Sequence, residues 1–323
     1  MSDVREQVLD DDVARALVAL AEVEDRRAGI RERFLRPTIG GGATVAVLAS
    51  PLGPPRSTGW VVCHSYGMEQ VNLATHEVPI ARALAAAGFP VIRYHGQGYG
   101  DSELPADGVG VASHLRDAVD AAEVLGEATG VTEIGFLGAR FGGTVAALAA
   151  DRLNASALVA WEPVVRGPAY ARSLLTLSVM LQLMHQQRAG GDAPDPEKVL
   201  TENGVLDVQG FPLSREMYEE LGSLELAEGL GSFRGRSLIV QISRSSEPRP
   251  ELERLVTRLR ELGGTSDLGV VVDERANTFA EPRFRPIGRG HKADIQAELG
   301  RSLLARTIEW CAPGADSAPE RTT

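Results

Sequence analysis

An arginine flanked by glycines is the first feature of this sequence with chemical potential. In "LGARFGG" (137–143), Gly138, Gly142 and Gly143 surround Arg140, after a short apolar run and before an alanine-rich one. Glycines so spaced between a strand and a helix present the intervening side chain on a tight turn above a sheet, although they can also serve only to relieve backbone strain. Arginine stays protonated, with a pKa above about 12, so Arg140 cannot act as an acyl-accepting nucleophile. It can bind carboxylates and developing oxyanions through paired hydrogen bonds.

Two other segments carry polar side chains at predicted strand ends. "VVCHSYGME" contains Cys63, His64, Ser65 and Tyr66, and "VIRYHGQGYGDSE" places His95 directly after the next strand. The carboxyl ends of neighbouring parallel strands meet at one edge, where α/β sheets bind ligands. These residues are therefore expected to flank the same crevice as Arg140.

Alternating strands and helices must position these groups. Predicted strands include "GWVVCHS", "FPVIRYHG", "EIGFLGA", "ALVAWEPV", "SLIVQIS" and "LGVVVDE", with helical segments between them. This rhythm predicts an α/β fold with a mostly parallel sheet covered by helices on both faces. The rhythm breaks after "WEPVV", where an apolar stretch and a Gly/Asp/Pro-rich linker indicate a mostly helical cap.

The pattern divides the chain into four parts, of which the first is expected to contain a charged amphipathic helix over residues 3–30. The expected parts are an N-terminal helical extension (1–36), an α/β core (37–166 and 233–312), a cap (167–232) and a disordered tail (313–323).

Composition limits the partners. A net charge of −11 and a pI near 5.1 argue against nucleic acid and anionic membranes. Cys63 and Cys311 lie far apart and suggest neither a disulfide framework nor a metal site, and no cofactor is expected. The start lacks a secretory pattern and no window is apolar enough for a membrane span, so we expect a cytoplasmic protein. The oligomeric state is not readable from the sequence.

With the three motifs in order, the chain resembles the α/β-hydrolase superfamily over roughly 40–166 and 233–312. It is most similar to bacterial serine-aminopeptidase-like and exosortase-associated hydrolases, some of which carry "G-L-R-L-G" with an arginine at the elbow, followed by "W-x-P-V". Here the corresponding segments are "GARFGG" and "LVAWEPVV". The resemblance implies a hydrolase-type crevice without a serine nucleophile. It also implies that backbone N–H groups of Phe141 and of Ser65 or Tyr66 form an oxyanion hole.

The resemblance also suggests an acid and a base. The acid position follows "SLIVQIS", where Glu247 comes first and Glu251 second. The base position matches His291 in "GRGHKADI", although the long preceding loop 274–290 departs from the family pattern. His64 is expected in a loop-ordering or direct chemical role. Cys63 is either an alternative nucleophile or a buried strand-end residue.

A histidine base and an anion-binding arginine suit chemistry without an acyl-enzyme. The first expectation is elimination of a carboxylate such as acetate, as known for members of this fold in bacterial secondary metabolism. One alternative is direct attack by activated water on an ester; another is an inactive protein that binds an anionic ligand or a partner protein. Arg140 could also merely pair with a buried acid such as Glu162 or Asp101. The substrate is expected to be an apolar or amphipathic small molecule bearing a carbonyl or carboxylate.

Overall fold

A nine-stranded sheet forms the centre of the protein in a computed structural model that describes residues 21–189, 195–273 and 292–312. The strand order is β1-β2-β5-β7-β6-β8-β9-β12-β13. These strands are β1 (Glu22–Asp25), β2 (Ile30–Leu35), β5 (Ala46–Pro51), β6 (Thr58–Cys63), β7 (Val91–Tyr94), β8 (Glu133–Ala139), β9 (Ala157–Trp161), β12 (Arg236–Ser243) and β13 (Thr265–Val272). Six neighbouring strands of the sheet run parallel, namely β7, β6, β8, β9, β12 and β13. The strands β5, β2 and β1 continue the sheet beyond β7 by antiparallel pairing.

Helices cover both faces of this sheet. They are α1 (Gly67–Ala86), α2 (Val111–Thr129), α3 (Phe141–Leu153), α4 (Gly167–Ala189), α5 (Pro196–Asn203), α6 (Arg215–Ser223), α7 (Leu226–Gly229), α8 (Pro250–Glu261) and α9 (Lys292–Cys311). Two small hairpins complete the described elements: β3 (Thr38–Ile39) with β4 (Gly42–Ala43), and β10 (Val205–Val208) with β11 (Phe211–Ser214). The predicted α/β-hydrolase fold class is confirmed by this architecture.

The two large apolar clusters among the described residues hold the layers together because the parallel strands are buried on both faces. One cluster joins the sheet to α2, α3 and the segment 167–232, and includes Phe136, Phe141 and Met217. The other includes Trp60 and Trp161 and joins the opposite face to α1 and α9. Trp161 also donates its indole N–H to the Thr307 hydroxyl at 3.1 Å, as buried tryptophans commonly do.

The predicted N-terminal helix is wrong where the structure describes it. Residues 22–25 and 30–35 are the antiparallel strands β1 and β2 at the sheet edge, paired from Glu22↔Arg33 to Asp25↔Ile30. Ile30 is fully buried, and β2 adds to β5 through six further residue pairs. Pairing with an existing sheet therefore outweighed the helical spacing of the apolar residues. The rest of that predicted helix lies outside the described residues.

The described part of segment 167–232 contains the helices α4 to α7 and the hairpin β10–β11. It returns to the sheet beside the carboxyl end of β9, where Gly167 N–H donates to Leu224 O and Leu226 N–H donates to Val165 O. The hairpin packs over the loop after β6, since Tyr66 donates its hydroxyl to Pro212 O at 2.7 Å. The tail 313–323 and the loop 274–290 lie outside the described residues.

Candidate functional site

Arg140 occupies a strained turn between β8 and α3. Its φ of 52° and ψ of −125° lie where side-chain-bearing residues are rare, at a cost of about 1–3 kcal/mol. Arg140 N–H donates to Trp161 O at 2.8 Å, and Arg140 O accepts from Gly143 N–H at 3.0 Å. The turn is thus fixed from the neighbouring strand and from the first turn of the helix. A turn of this kind between a strand and a helix presents its central side chain above the sheet.

Two glycines let the turn close. A Cβ on Gly138 would overlap the Gly142 carbonyl, and a Cβ on Gly142 would overlap the Cys63 carbonyl oxygen. The first turn of α3 therefore packs directly on its own strand and on the backbone after β6. This close approach brings the Arg140 turn and the loop at 64–66 together.

The Arg140 side chain is held by a carboxylate. Arg140 Nε donates to Glu69 Oε1 at 3.2 Å, and Glu69 Oε2 accepts from the hydroxyls of Ser65 at 3.0 Å and Tyr170 at 2.9 Å. Burial is the largest single influence and would lower the Arg140 pKa, but the charge of Glu69, its hydrogen bond and the smaller electrostatic effects of Tyr170 and Glu162 together outweigh burial, so the pKa is raised. The arginine is therefore fixed and charged, and three elements meet at one carboxylate.

The two acids suggested from the sequence as partners of Arg140 are wrong, because the carboxylate of each lies against another residue. Glu162 accepts from the Arg249 guanidinium and, at 2.8 Å, from Ile242 N–H. Asp101 lies 3.1 Å from His95 Nδ1. Glu162 contributes to the charge around Arg140 only at longer range.

Backbone donors remain at the turn. Ser65 N–H is taken by Gln70 Oε1 at 2.6 Å. Within the described part of the chain, the N–H groups of Tyr66 and Phe141 have no hydrogen-bond acceptor. The Tyr66 and Phe141 rings lie 6.4 Å apart, centroid to centroid. Of the two predicted loop donors, Tyr66 is therefore the one whose N–H is available.

His64 is buried beneath this loop. Its Nδ1 lies 2.9 Å from Ser65 O, and its ring stacks on Tyr99 with centroids 5.1 Å apart. Burial and the neighbouring His114 lower the His64 pKa to about 4. The imidazole is therefore neutral at physiological pH, and its contacts order the loop.

Cys63 and His95 occupy different environments. Cys63 is fully buried, and burial raises the pKa of its thiol well above the usual range, which disfavours the thiolate a nucleophile needs. His95 is partly exposed, and its Nδ1 accepts from Asp101 N–H at 3.0 Å. The strand-end positions are as expected, but Cys63 has the surroundings of a packing residue.

The predicted acid positions do not contact the cluster at Arg140. Glu247 is exposed on the loop after β12, and among the described residues its carboxylate has no ion pair or hydrogen bond. Glu251 lies 3.8 Å from Arg249 Nε. His291 lies outside the described residues. The role of His291 as base stays a prediction.

Sequence reasoning missed Glu69, Gln70 and Tyr170. Glu69 follows Ser65 by four residues in "CHSYGME", a spacing that places two side chains on one side of a helical turn. Tyr170 ends the segment "WEPVVRGPAY". An acid within one helical turn of the loop was the one available signal, whereas the Tyr170 contact depends on how the cap packs.

No group of three metal-ligating side chains occurs among the described residues. Across the described helices, none has the length and apolar character needed to cross a membrane.

Comparison with solved structures gives the fold. Est1E from Butyrivibrio proteoclasticus, solved with ferulic acid, aligns with a TM-score of 0.60 and 17% identity over 85% of this chain and 99% of Est1E. The Pyrococcus furiosus esterase PF2001 aligns with a TM-score of 0.55 and 14% identity, over 90% of this chain and 96% of the esterase. Esterase Est22 aligns with a TM-score of 0.53 and 16% identity, over 94% of this chain and 89% of Est22. No family model and no curated relative matches the sequence.

The site thus lies on an α/β-hydrolase scaffold. At these identities the likeness establishes the fold alone. Arg140 stands on the turn that presents a side chain to the crevice in this fold.

Proposed function

We propose that this protein is an enzyme that cleaves an ester or acyl group in a small molecule without forming an acyl-enzyme at residue 140. The observation that carries the proposal is the Arg140 turn. A strained, glycine-dependent conformation is maintained around a cation whose Nη nitrogens have no hydrogen-bond acceptor among the described residues. Such strain is retained where the surrounding structure serves a function.

The donors at the turn suit a developing negative charge. The N–H groups of Phe141 and Tyr66, with the outer nitrogens of Arg140, supply hydrogen-bond donors that need no rearrangement during the reaction. Removing one such donor from an enzyme typically costs about 10²–10³ in kcat. This assembly stabilises an oxyanion and leaves proton transfer to a separate base, for which we propose His291.

Two reactions use these groups. In hydrolysis, the base takes a proton from water, the water oxygen bonds to the acyl carbon, and the alcohol departs with a proton from the base. In elimination, the base takes a proton next to a carbonyl, a C=C bond forms, and the β-carboxylate leaves with the C–O electron pair. The esterases of the same fold favour hydrolysis, whereas the lack of a nucleophile favours elimination.

The experiment that tests the proposal is an ester screen in H2(18)O with mass spectrometry of the products. The panel holds aryl and alkyl acetates together with β-acetoxy ketones. Hydrolysis at the acyl carbon places one 18O in the released acetate, whereas elimination releases unlabelled acetate and an alkene. Turnover that follows either pattern is expected, and no turnover of any ester would overturn the proposal.

Variants assign the roles. Arg140→Ala is expected to lower kcat by about 10²-fold or more, since one oxyanion donor is lost. His291→Ala is expected to lower it by about 10²–10⁴-fold. An unchanged rate in His291→Ala would exclude His291 as the base. Glu253→Gln, which removes an exposed charge on α8, is the control for both.

One observation favours a second candidate, a protein that binds a ligand without turnover. Arg140 Nε already donates to Glu69, and the two side chains resemble a structural ion pair. In that case Arg140→Ala weakens the binding of a small carbonyl compound, and the screen gives no product.

A further inference from the structure

The charge of Arg140 is cancelled within the site. Glu69 Oε1 lies 3.2 Å from Arg140 Nε, and the hydroxyls of Ser65 and Tyr170 donate to Glu69 Oε2. Hydrogen bonds from three donors hold the carboxylate in place. The ion pair of Arg140 and Glu69 therefore has no net charge.

The surrounding described groups leave no compensating positive charge. Arg249 pairs with Glu162. His64 and His114 are buried and uncharged at neutral pH, because burial lowers the pKa of each to about 4. Among the described residues at this turn, no cation is thus left for a ligand that brings a full negative charge.

Access differs across the cluster. The side chains of Arg140 and Glu69 are 28% and 16% exposed, whereas Ser65 and Tyr170 are 1% and 5% exposed. A molecule that reaches Arg140 therefore also meets the Glu69 carboxylate. The hydroxyls that anchor Glu69 lie behind it, away from solvent.

We propose that Glu69 is a specificity-determining residue, which makes the Arg140 site select an uncharged ester carbonyl over a carboxylate. The inference rests on the proposed function only in taking Arg140 as the group that meets the substrate. A carbonyl oxygen accepts a hydrogen bond from the outer nitrogens of Arg140 and brings no charge. A carboxylate in the same place is attracted by Arg140 but repelled by Glu69 at short range, where solvent screens little, so Glu69 offsets the advantage that the negative charge would otherwise give the carboxylate over a carbonyl.

This selection is compatible with oxyanion stabilisation. The negative charge on the carbonyl oxygen grows only in the transition state, and the donors of Arg140 then strengthen their hydrogen bonds. A ground-state carboxylate takes the repulsion without that gain. The site favours a charge that develops on a bound neutral group over a charge that is already present.

The test compares a neutral diester with its half-ester of the same skeleton, and adds benzoate binding by calorimetry. Wild-type protein is expected to prefer the diester in kcat/KM by about tenfold or more and to bind benzoate weakly. Glu69→Gln keeps an acceptor for Arg140 Nε but removes the charge, so benzoate affinity is expected to rise about tenfold and the preference to shrink. Glu69→Asp is expected to restore the wild-type pattern. Glu253→Gln, the same charge change on an exposed helix face, is expected to alter neither.

Several results would overturn the inference. They are a wild-type preference for the half-ester, equal benzoate affinity in wild type and Glu69→Gln, and an equal gain in Glu253→Gln. Benzoate binding needs no turnover, so its result stands even if the ester screen fails, and the two proposals fail separately. The wild-type comparison of benzoate with neutral methyl benzoate, expected to favour methyl benzoate, needs no variant to fold.

Discussion

At the scale of residues, a strained turn and a partly buried ion pair meet at Arg140. Arg140 keeps a φ of 52°, held by Trp161 O and by the start of α3. Its guanidinium is a partly buried charge and therefore needs a partner. Glu69 supplies that partner from the first turn of α1. The two residues therefore act as one unit.

A double-mutant cycle measures that unit. Arg140→Met and Glu69→Gln are each expected to lower the free energy of unfolding, because each leaves a partly buried charge without its partner. The double variant is expected to lose less than the sum, with a coupling of about 1–2 kcal/mol by urea denaturation. The exposed pair Lys198–Glu202 is the control and is expected to couple by about 0.3–0.5 kcal/mol. Equal coupling in the two pairs would show that Glu69 does not hold Arg140.

The sequence predicted Arg140's place but not its partner. Glycine spacing after an apolar run is a local signal, because strand, turn and helix are contiguous in the chain. Arg140 and Tyr170 both contact Glu69, which lies far from them in the chain. The glycine spacing around Arg140 does not encode these contacts. Glu162 was a reasonable guess since it follows the neighbouring strand, but Ile242 N–H and Arg249 take its carboxylate.

At the scale of elements, the crossing of β8, α3 and the loop after β6 depends on backbone contact. Gly142 touches the backbone of residues 63 and 64, and a Cβ there would lie 2.9 Å from the His64 carbonyl carbon. Backbone cannot rotate away as a side chain can. The crossing therefore tolerates no side chain at position 142.

Gly142→Ala is expected to lower the free energy of unfolding by about 1–3 kcal/mol through overpacking, measured by chemical denaturation. The matched control is Gly126→Ala in α2, where a Cβ meets nothing within 4 Å. That change is expected to stabilise the protein by about 0.5–1 kcal/mol because alanine favours helix. Equal effects of the two substitutions would contradict the close contact.

Elements differed in how well the sequence predicted them. The buried strands of the parallel sheet are continuous apolar runs, and "EIGFLGA" matches β8 (Glu133–Ala139) residue for residue. The helix predicted over 3–30 rested on apolar residues at helical spacing from Val8 to Val23, of which only Val23 lies in the edge strand β1. The pairing of β2 with β5 is a long-range contact that local periodicity does not encode.

At the scale of the whole molecule, buried ionisable groups couple the fold to pH. His64 and His114 lie beside each other, with ring centroids 5.3 Å apart, under the loop that carries the Tyr66 donor. Burial lowers both pKa values from 6.5 to about 4. Glu77 Oε2 accepts a hydrogen bond from Gln70 Nε2 at 3.0 Å. The pKa of Glu77 shifts in the opposite direction, because burial raises it from 4.5 to about 7.

The two shifts make opposite predictions. Between about pH 6.5 and 4 the unfolded chain binds more protons at the two histidines than the folded protein, so their contribution to stability falls as pH falls. Glu77 binds its proton more tightly in the folded state, so between about pH 7 and 4.5 its contribution grows as pH falls. Between pH 7 and pH 4.5, the free energy of unfolding of His114→Asn is therefore expected to fall by about 1–3 kcal/mol less than that of the wild type. For Glu77→Gln the free energy of unfolding is expected to fall by more than in the wild type, by a similar amount. Urea denaturation at half-unit pH steps measures both slopes, and slopes that change in the same direction in the two variants would contradict the opposed shifts.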